Sequence, residues 1–255
     1  MLNFRFFLLI SLINLIILPA FSSFAEPKKS PDKIVPQPIQ ELFQSNLVYP
    51  QEKDEIQLTL FPSFRKNKST QKTRTLFEVE YGITDALQVI FEWEGLLYKN
   101  PKSDPAIAGV GNIEVGAQYS WMGMGDGNTH FSFGNLIEFP VGPVESGLTE
   151  GFIEVQPFIV LARDFPELNQ SQIFLEFGFD WVKQARNVPE SIAPEIDNIS
   201  WNIGAFFPIK LWRATIEING NNNKLDGGSI NDIYITPGTI YKLSKEWEMG
   251  IATPI

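Results

Sequence analysis

Acidic side chains at alternate positions are the residues of this chain best placed to do chemistry. Glu78 and Glu80 fall in one stretch and Glu92 and Glu94 in the next, followed by Glu114, Glu138, Glu176 and Asp180, each between apolar neighbours. Gln88 and Gln118 keep the same phase, and Arg74 is one of few cations on it. Successive strand side chains point to opposite faces, so a sheet built from these stretches has one face lined with carboxylates. Such a lining concentrates cations and repels anions. Two readings are open: these ten acids and amides line a cation-preferring lumen, or the acids pair with nearby cations or face a plug.

A second constellation is His130, the only histidine, with Ser132 two residues on and Glu138 in the same phase. A base beside a hydroxyl and an acid is what nucleophilic hydrolysis requires. The pattern resembles the active site of outer-membrane lipid A deacylases, which makes a lipid A-modifying hydrolase one alternative. It shares the polar face, however, whereas Phe131 and Phe133 take the apolar one, and a lipid-cleaving site should open toward lipid. No catalytic residue is therefore expected. A lone histidine and the absence of cysteine remove the usual nitrogen and thiolate metal sites, and no cofactor is expected. Asp126-Gly127-Asn128 and Asp226-Gly227-Gly228 lack the spaced carboxylates of a calcium loop and read as turns.

The elements that must position these residues are strands. The clearest is the hairpin from Thr73 to Glu94, broken at Gly82-Ile83-Thr84-Asp85, with Phe77, Val79 and Tyr81 opposite Glu78 and Glu80, and then Leu87, Val89, Phe91 and Trp93 opposite Gln88, Glu92 and Glu94. Alternating runs recur at Glu55–Phe64, Thr73–Tyr81, Ala86–Leu97, Gly111–Trp121, Thr129–Val141, Gly151–Ala162, Ile173–Val182, Ile199–Phe207, Trp212–Asn219, Ile230–Tyr241 and Trp247–Pro254. Gly151–Ala162 is the least regular, with apolar residues on both faces. Short links follow several runs (Gly82–Asp85, Met122–Asn128, Ser244–Glu246). Longer polar loops are expected at Arg65–Lys72, Lys99–Val110, Gly142–Glu150, Arg186–Asn198 and Gly220–Ser229. Arg163–Ser171 is a longer link where a short turn would fit better. An extra strand from Glu41–Tyr49 would make the count even.

Two architectures bury one greasy and one wet face: a soluble sandwich and a membrane barrel. The runs are longer than sandwich strands and close to what crosses a bilayer at a tilt. Trp93, Tyr98, Tyr119, Trp121, Phe139, Trp181, Trp201, Trp212, Tyr241 and Trp247 gather near run ends, as interfacial girdles do. A mean hydropathy of −0.05 fits either, because a barrel averages its lipid and lumen faces. The net charge of −10 argues against nucleic acid as a partner. At the N-terminus, Arg5, the apolar stretch Phe6–Leu18, Pro19 and Ser23-Phe24-Ala25 read as a signal peptide over 1–25, cleaved near Ala25. The apolar stretch falls short of the ~20 residues of a spanning helix. Residues 26–50, rich in Pro and Lys at the start, form an extended arm that either stays outside or plugs the lumen, and 51–255 form the barrel. The expectation is an all-β protein, an antiparallel up-and-down transmembrane β-barrel of about 12 strands.

Four motifs then point to a family. Glu80-Tyr81-Gly82-Ile83-Thr84-Asp85-Ala86-Leu87-Gln88 resembles the hairpin of the MetA-pathway-of-phenol-degradation-like outer-membrane proteins. Gly109 to Gly116 is similar to their GxGD strand start, with Asn112 for the usual Asp. Phe139-Pro140-Val141-Gly142 resembles their (L/F)PTG motif, with Val141 for Thr, and Tyr241 to Gly250 resembles their near-terminal hairpin. The resemblance covers about residue 55 to the end. It implies an outer-membrane barrel of a Gram-negative bacterium, acting as a passive channel for small, often aromatic, solutes, and the acidic face adds cationic compounds to the candidates. The implied partners are outer-membrane lipid, the solute itself and the barrel-assembly machinery. A closed structural barrel is the other class.

Overall fold

The computed structural model describes residues 38–39, 42–66, 69–102, 105–149, 151–184, 198–225 and 228–255. The proposed signal peptide and cleavage site, the start of the arm, and most of the loop at Arg186–Asn198 lie outside them.

Twelve strands make one antiparallel sheet: β1 (Ile56–Lys66), β2 (Thr70–Thr84), β3 (Leu87–Pro101), β4 (Ile107–Gly109), β5 (Ile113–Met124), β6 (Thr129–Phe139), β7 (Phe152–Phe165), β8 (Ser171–Gln184), β9 (Asn198–Ile209), β10 (Trp212–Leu225), β11 (Gly228–Lys242) and β12 (Glu248–Ala252). Each pairs with its neighbour in sequence, except that the short β4 folds back on the upper end of β3 and lets β5 take the next place. The fold is therefore an all-β, up-and-down antiparallel barrel sheet. A single 3-10 turn is the only helical piece among the described residues.

All eleven alternating runs become strands, and the differences lie at their ends. Expected loops shrink because the ladders continue past the apolar alternation. Asn219 to Leu225 is polar on both faces, yet its backbone stays paired to β11 as far as Leu225 opposite Gly228. The Gly220–Ser229 loop thus reduces to the two-residue link 226–227. In the same way β1 and β2 extend into Arg65–Lys72, and β3 and β4 into Lys99–Val110. The Arg163–Ser171 link shortens too: β7 runs to Phe165, and Pro166–Leu168 with Asn169 and Gln170 at positive φ turn the chain into β8. The Glu41–Tyr49 stretch is not a strand in its described part.

Outward side chains are apolar and uncovered. Leu58, Leu60, Phe64, Phe91, Trp121, Phe133, Phe177, Trp181, Phe207, Trp212 and Ile233 are all exposed on the convex face. Among the described residues no second sheet covers them, which is not the arrangement of a sandwich. A water-soluble monomer rarely carries so broad an apolar belt, and a membrane barrel requires one.

The buried apolar core lies on the other side, inside the curl. Ile39, Leu42, Leu47, Val48 and Tyr49 pack there against Ile90, Leu136, Phe158, Val160, Ala162, Phe174, Phe206 and Ile240. This explains the irregular Gly151–Ala162 run, whose inward Phe158 and Val160 meet the N-terminal segment rather than water. The last part of the arm, including its described residues 42–50, is thus inside the barrel. Burial of each such side chain contributes roughly 1.5–3 kcal/mol.

Candidate functional site

The interior has two zones, a plug and an acidic row, both set by strand register. The plug is formed by the described residues 38–39 and 42–54. Its contacts reach the inward face of each of the eleven strands in the main row. Phe43 and Gln44 donate their backbone N–H groups to the two oxygens of Glu217 on β10, each at 3.1 Å, and Ser45 Oγ donates to the same carboxylate at 2.7 Å. Asn46 donates twice to Glu176 on β8, and Asn202 on β9 donates to the Gln44 carbonyl. Gln118 on β5 donates to the Leu47 carbonyl at 2.7 Å. Gln51 donates its backbone N–H to the side-chain oxygen of Gln88 on β3 and its side-chain amide to Gln57 on β1 and Glu80 on β2. An irregular segment can sit in a barrel only if its backbone groups find such partners.

Tyr49 anchors the middle of the plug. Its hydroxyl donates to Asp164 Oδ1 at 2.7 Å and accepts from Gln172, and its ring lies 5.6 Å from that of His130. Burial, then the charge of Asp164, push the phenol above its ordinary value, so it remains a donor. His130 Nδ1 accepts from the Gly123 N–H at 3.0 Å, which puts its proton on Nε2, and that nitrogen donates to Asp164 at 2.9 Å. Both nitrogens are therefore engaged. Ser132 Oγ is buried without a hydrogen-bond partner, and Glu138 is occupied with Asn112. The geometry gives Ser132 no base, so it does not build the hydrolase site.

Phe43 bridges the two edges of the sheet from within. No hydrogen-bonded ladder joins β1 to β12 among the described residues. Instead the Phe43 ring lies 6.2 Å from Phe61 of β1 and rests on Gly238 of β11 and Gly250 of β12, where a Cβ would run into it.

The acidic row lies further from the short turns. Glu78 of β2 is directly opposite Glu92 of β3, Glu92 opposite Glu114 of β5, Glu114 opposite Glu138 of β6, and Glu138 opposite Glu154 of β7. Like charges directly opposed across strands destabilise a sheet. Five in succession therefore mark a place where something other than stability is served. Glu92 lies within hydrogen-bonding reach of both Glu78 and Glu114. One step above, Glu94 pairs with Arg74 at 2.9 Å.

Register thus divides the ten residues singled out from the sequence. Glu78, Glu92, Glu114 and Glu138 form the row, with Glu94 beside it. Glu80, Gln88, Gln118 and Glu176 hold the plug. Asp180 accepts from Asn198 across the β8–β9 pair. Glu154 and Glu217 went unnoticed: Glu154 lies in the irregular run, whereas Glu217 alternates with Ile216 and Ile218 and could have been found by its phase. Asp164 and Gln172 lie beyond the ends of the runs read from the sequence.

Comparison with known proteins supports the architecture. No protein-family model matches the chain, and no curated protein matches it in sequence. Among solved structures, it is similar to the crystal structure of the COG4313 outer membrane channel from Pseudomonas putida F1. The TM-score is 0.63 at 12% identity, over 84% of this chain and 92% of that one. The chain shares the antiparallel β-barrel fold of that structure.

Proposed function

We propose that this protein is an outer-membrane β-barrel working as a passive channel for small solutes, with a cation-preferring lumen and an N-terminal segment as its plug. The observation that carries the reading is the contrast between faces: an uncovered apolar belt outside, and five directly opposed glutamates inside. The likeness to a solved outer membrane channel supports it. So do the four sequence motifs that resemble the MetA-pathway-of-phenol-degradation-like family, which favour small aromatic solutes, while the acidic row favours cationic ones. Export through a cleaved signal peptide and assembly by the barrel-assembly machinery belong to the same proposal.

The plug also favours a second reading, a closed barrel with a structural role, because its contacts reach every strand of the row. Single-channel recording separates the two. A channel gives openings whose open level is cation-selective, and these lengthen when the plug's anchors are weakened by Glu217→Ala. A closed barrel gives no current from folded, inserted protein of either kind.

A further inference from the structure

The glutamate row has a geometry that narrows the kind of cation it fits, provided the channel reading holds. We propose that it is a binding ramp for linear aliphatic polyammonium cations, in which successive ammonium groups sit on successive glutamates. Neighbouring strands lie about 4.8 Å apart, so the five carboxyls on β2, β3, β5, β6 and β7 form a line ~19 Å long. An extended three-carbon tether holds two ammonium groups about one such strand spacing apart, and a four-carbon tether reaches somewhat further and matches it when bent. Strands of a barrel tilt by roughly 35–45°, so a row perpendicular to them climbs obliquely along the lumen rather than circling it at one height.

Three observations favour this ligand over a chelated metal ion. Among the described residues, no three acidic or histidine groups converge closely enough to hold one metal. The site is a line, not a cage. Two arginines that point inward, Arg74 and Arg213, are committed elsewhere, to Glu94 and to the Pro38 carbonyl. Most telling is Asn112, which is 8% exposed and set among the acids. Its backbone N–H donates to Glu94 and its amide nitrogen to Glu138, while its Oδ1 is buried with no hydrogen-bond partner. A buried carbonyl oxygen left open beside carboxylates asks for a donor-rich cation.

The test is isothermal titration of the refolded full-length protein in detergent at low salt with spermidine, using butylamine as the single-charge control. Spermidine should bind at least about tenfold more tightly than butylamine. Glu92→Gln/Glu114→Gln should weaken spermidine by about tenfold or more and leave butylamine nearly unchanged. Glu154→Gln, at the end of the row, supplies a milder variant if the double one does not fold. Spermidine binding no tighter than butylamine, or unaltered in the folded variants, overturns the ramp. Binding in detergent needs no open pore, so the two readings fail separately. Cation-selective current without spermidine preference sinks the ramp alone, and spermidine binding by a barrel that never conducts sinks the channel reading on which transport rests.

Discussion

Replacing Glu114 with Gln should make the barrel more stable while making it a poorer cation channel. Glu114 stands in the middle of the row, directly opposite Glu92 on one side and Glu138 on the other. Each directly opposed like-charge pair costs roughly 0.2–1 kcal/mol, so removing the central charge relieves two of them and should stabilise the fold by about 0.4–2 kcal/mol. Gln has almost the same shape and still offers a donor and an acceptor, so no cavity or orphaned partner offsets the gain. The assay is urea unfolding in lipid vesicles followed by tryptophan fluorescence, with Glu246→Gln in the exposed β11–β12 turn as a control that should change little. In planar bilayers the same Glu114→Gln protein should show a smaller cation preference. A fall in stability would refute the reasoning, because it would mean that the row is a structural network satisfied by its own shared protons.

Other outcomes follow from the plug and the histidine cluster. Glu217→Ala removes the acceptor of Phe43 N–H, Gln44 N–H and Ser45 Oγ–H, at roughly 1–3 kcal/mol for each buried donor, and should show as longer channel openings and faster proteolysis within residues 42–52. Gly238→Ala puts a methyl group into the Phe43 ring and should dislodge it, also raising open probability. His130→Ala leaves Asp164 and the Gly123 N–H without their partner and should cost roughly 3 kcal/mol in urea unfolding. Ser132→Ala should leave stability and lipid A composition unchanged. In the β5–β6 turn, burial alone would raise the Asp126 carboxyl, but the hydrogen bond and charge of Arg163 together with the hydrogen bonds from Asn128 outweigh it and hold it below its ordinary value. That contribution, small because the pair is partly exposed, is present above the unfolded carboxylate value near pH ~4 and lost as pH falls further. Protection of the turn amides relative to their intrinsic exchange rates should fall only on acidification.

The strands were legible because two-residue alternation survives wherever a sheet keeps one apolar and one polar face. Phe77, Val79 and Tyr81 against Glu78 and Glu80 could be read without any structure. What alternation cannot carry is register, and the row exists only because Glu78, Glu92, Glu114, Glu138 and Glu154 come level across β2 to β7. Nor could it carry the plug. Ile39, Leu47 and Val48 have no period, and their burial depends on inward Phe158, Val160, Phe174 and Phe206, which a polar-lumen pattern does not anticipate. The polar ends of β10 and β11 were missed for the converse reason: backbone pairing continues in water, where side chains no longer need to alternate.

The central claim, an acidic lumen that conducts, is tested most directly by the reversal potential of single channels in a planar bilayer under a KCl gradient. The account predicts that open levels of the refolded protein reverse toward the potassium equilibrium potential, and that Glu92→Gln/Glu114→Gln moves the reversal toward zero. Reversal toward the chloride potential, or no current from inserted protein even with Glu217→Ala loosening the plug, would contradict it.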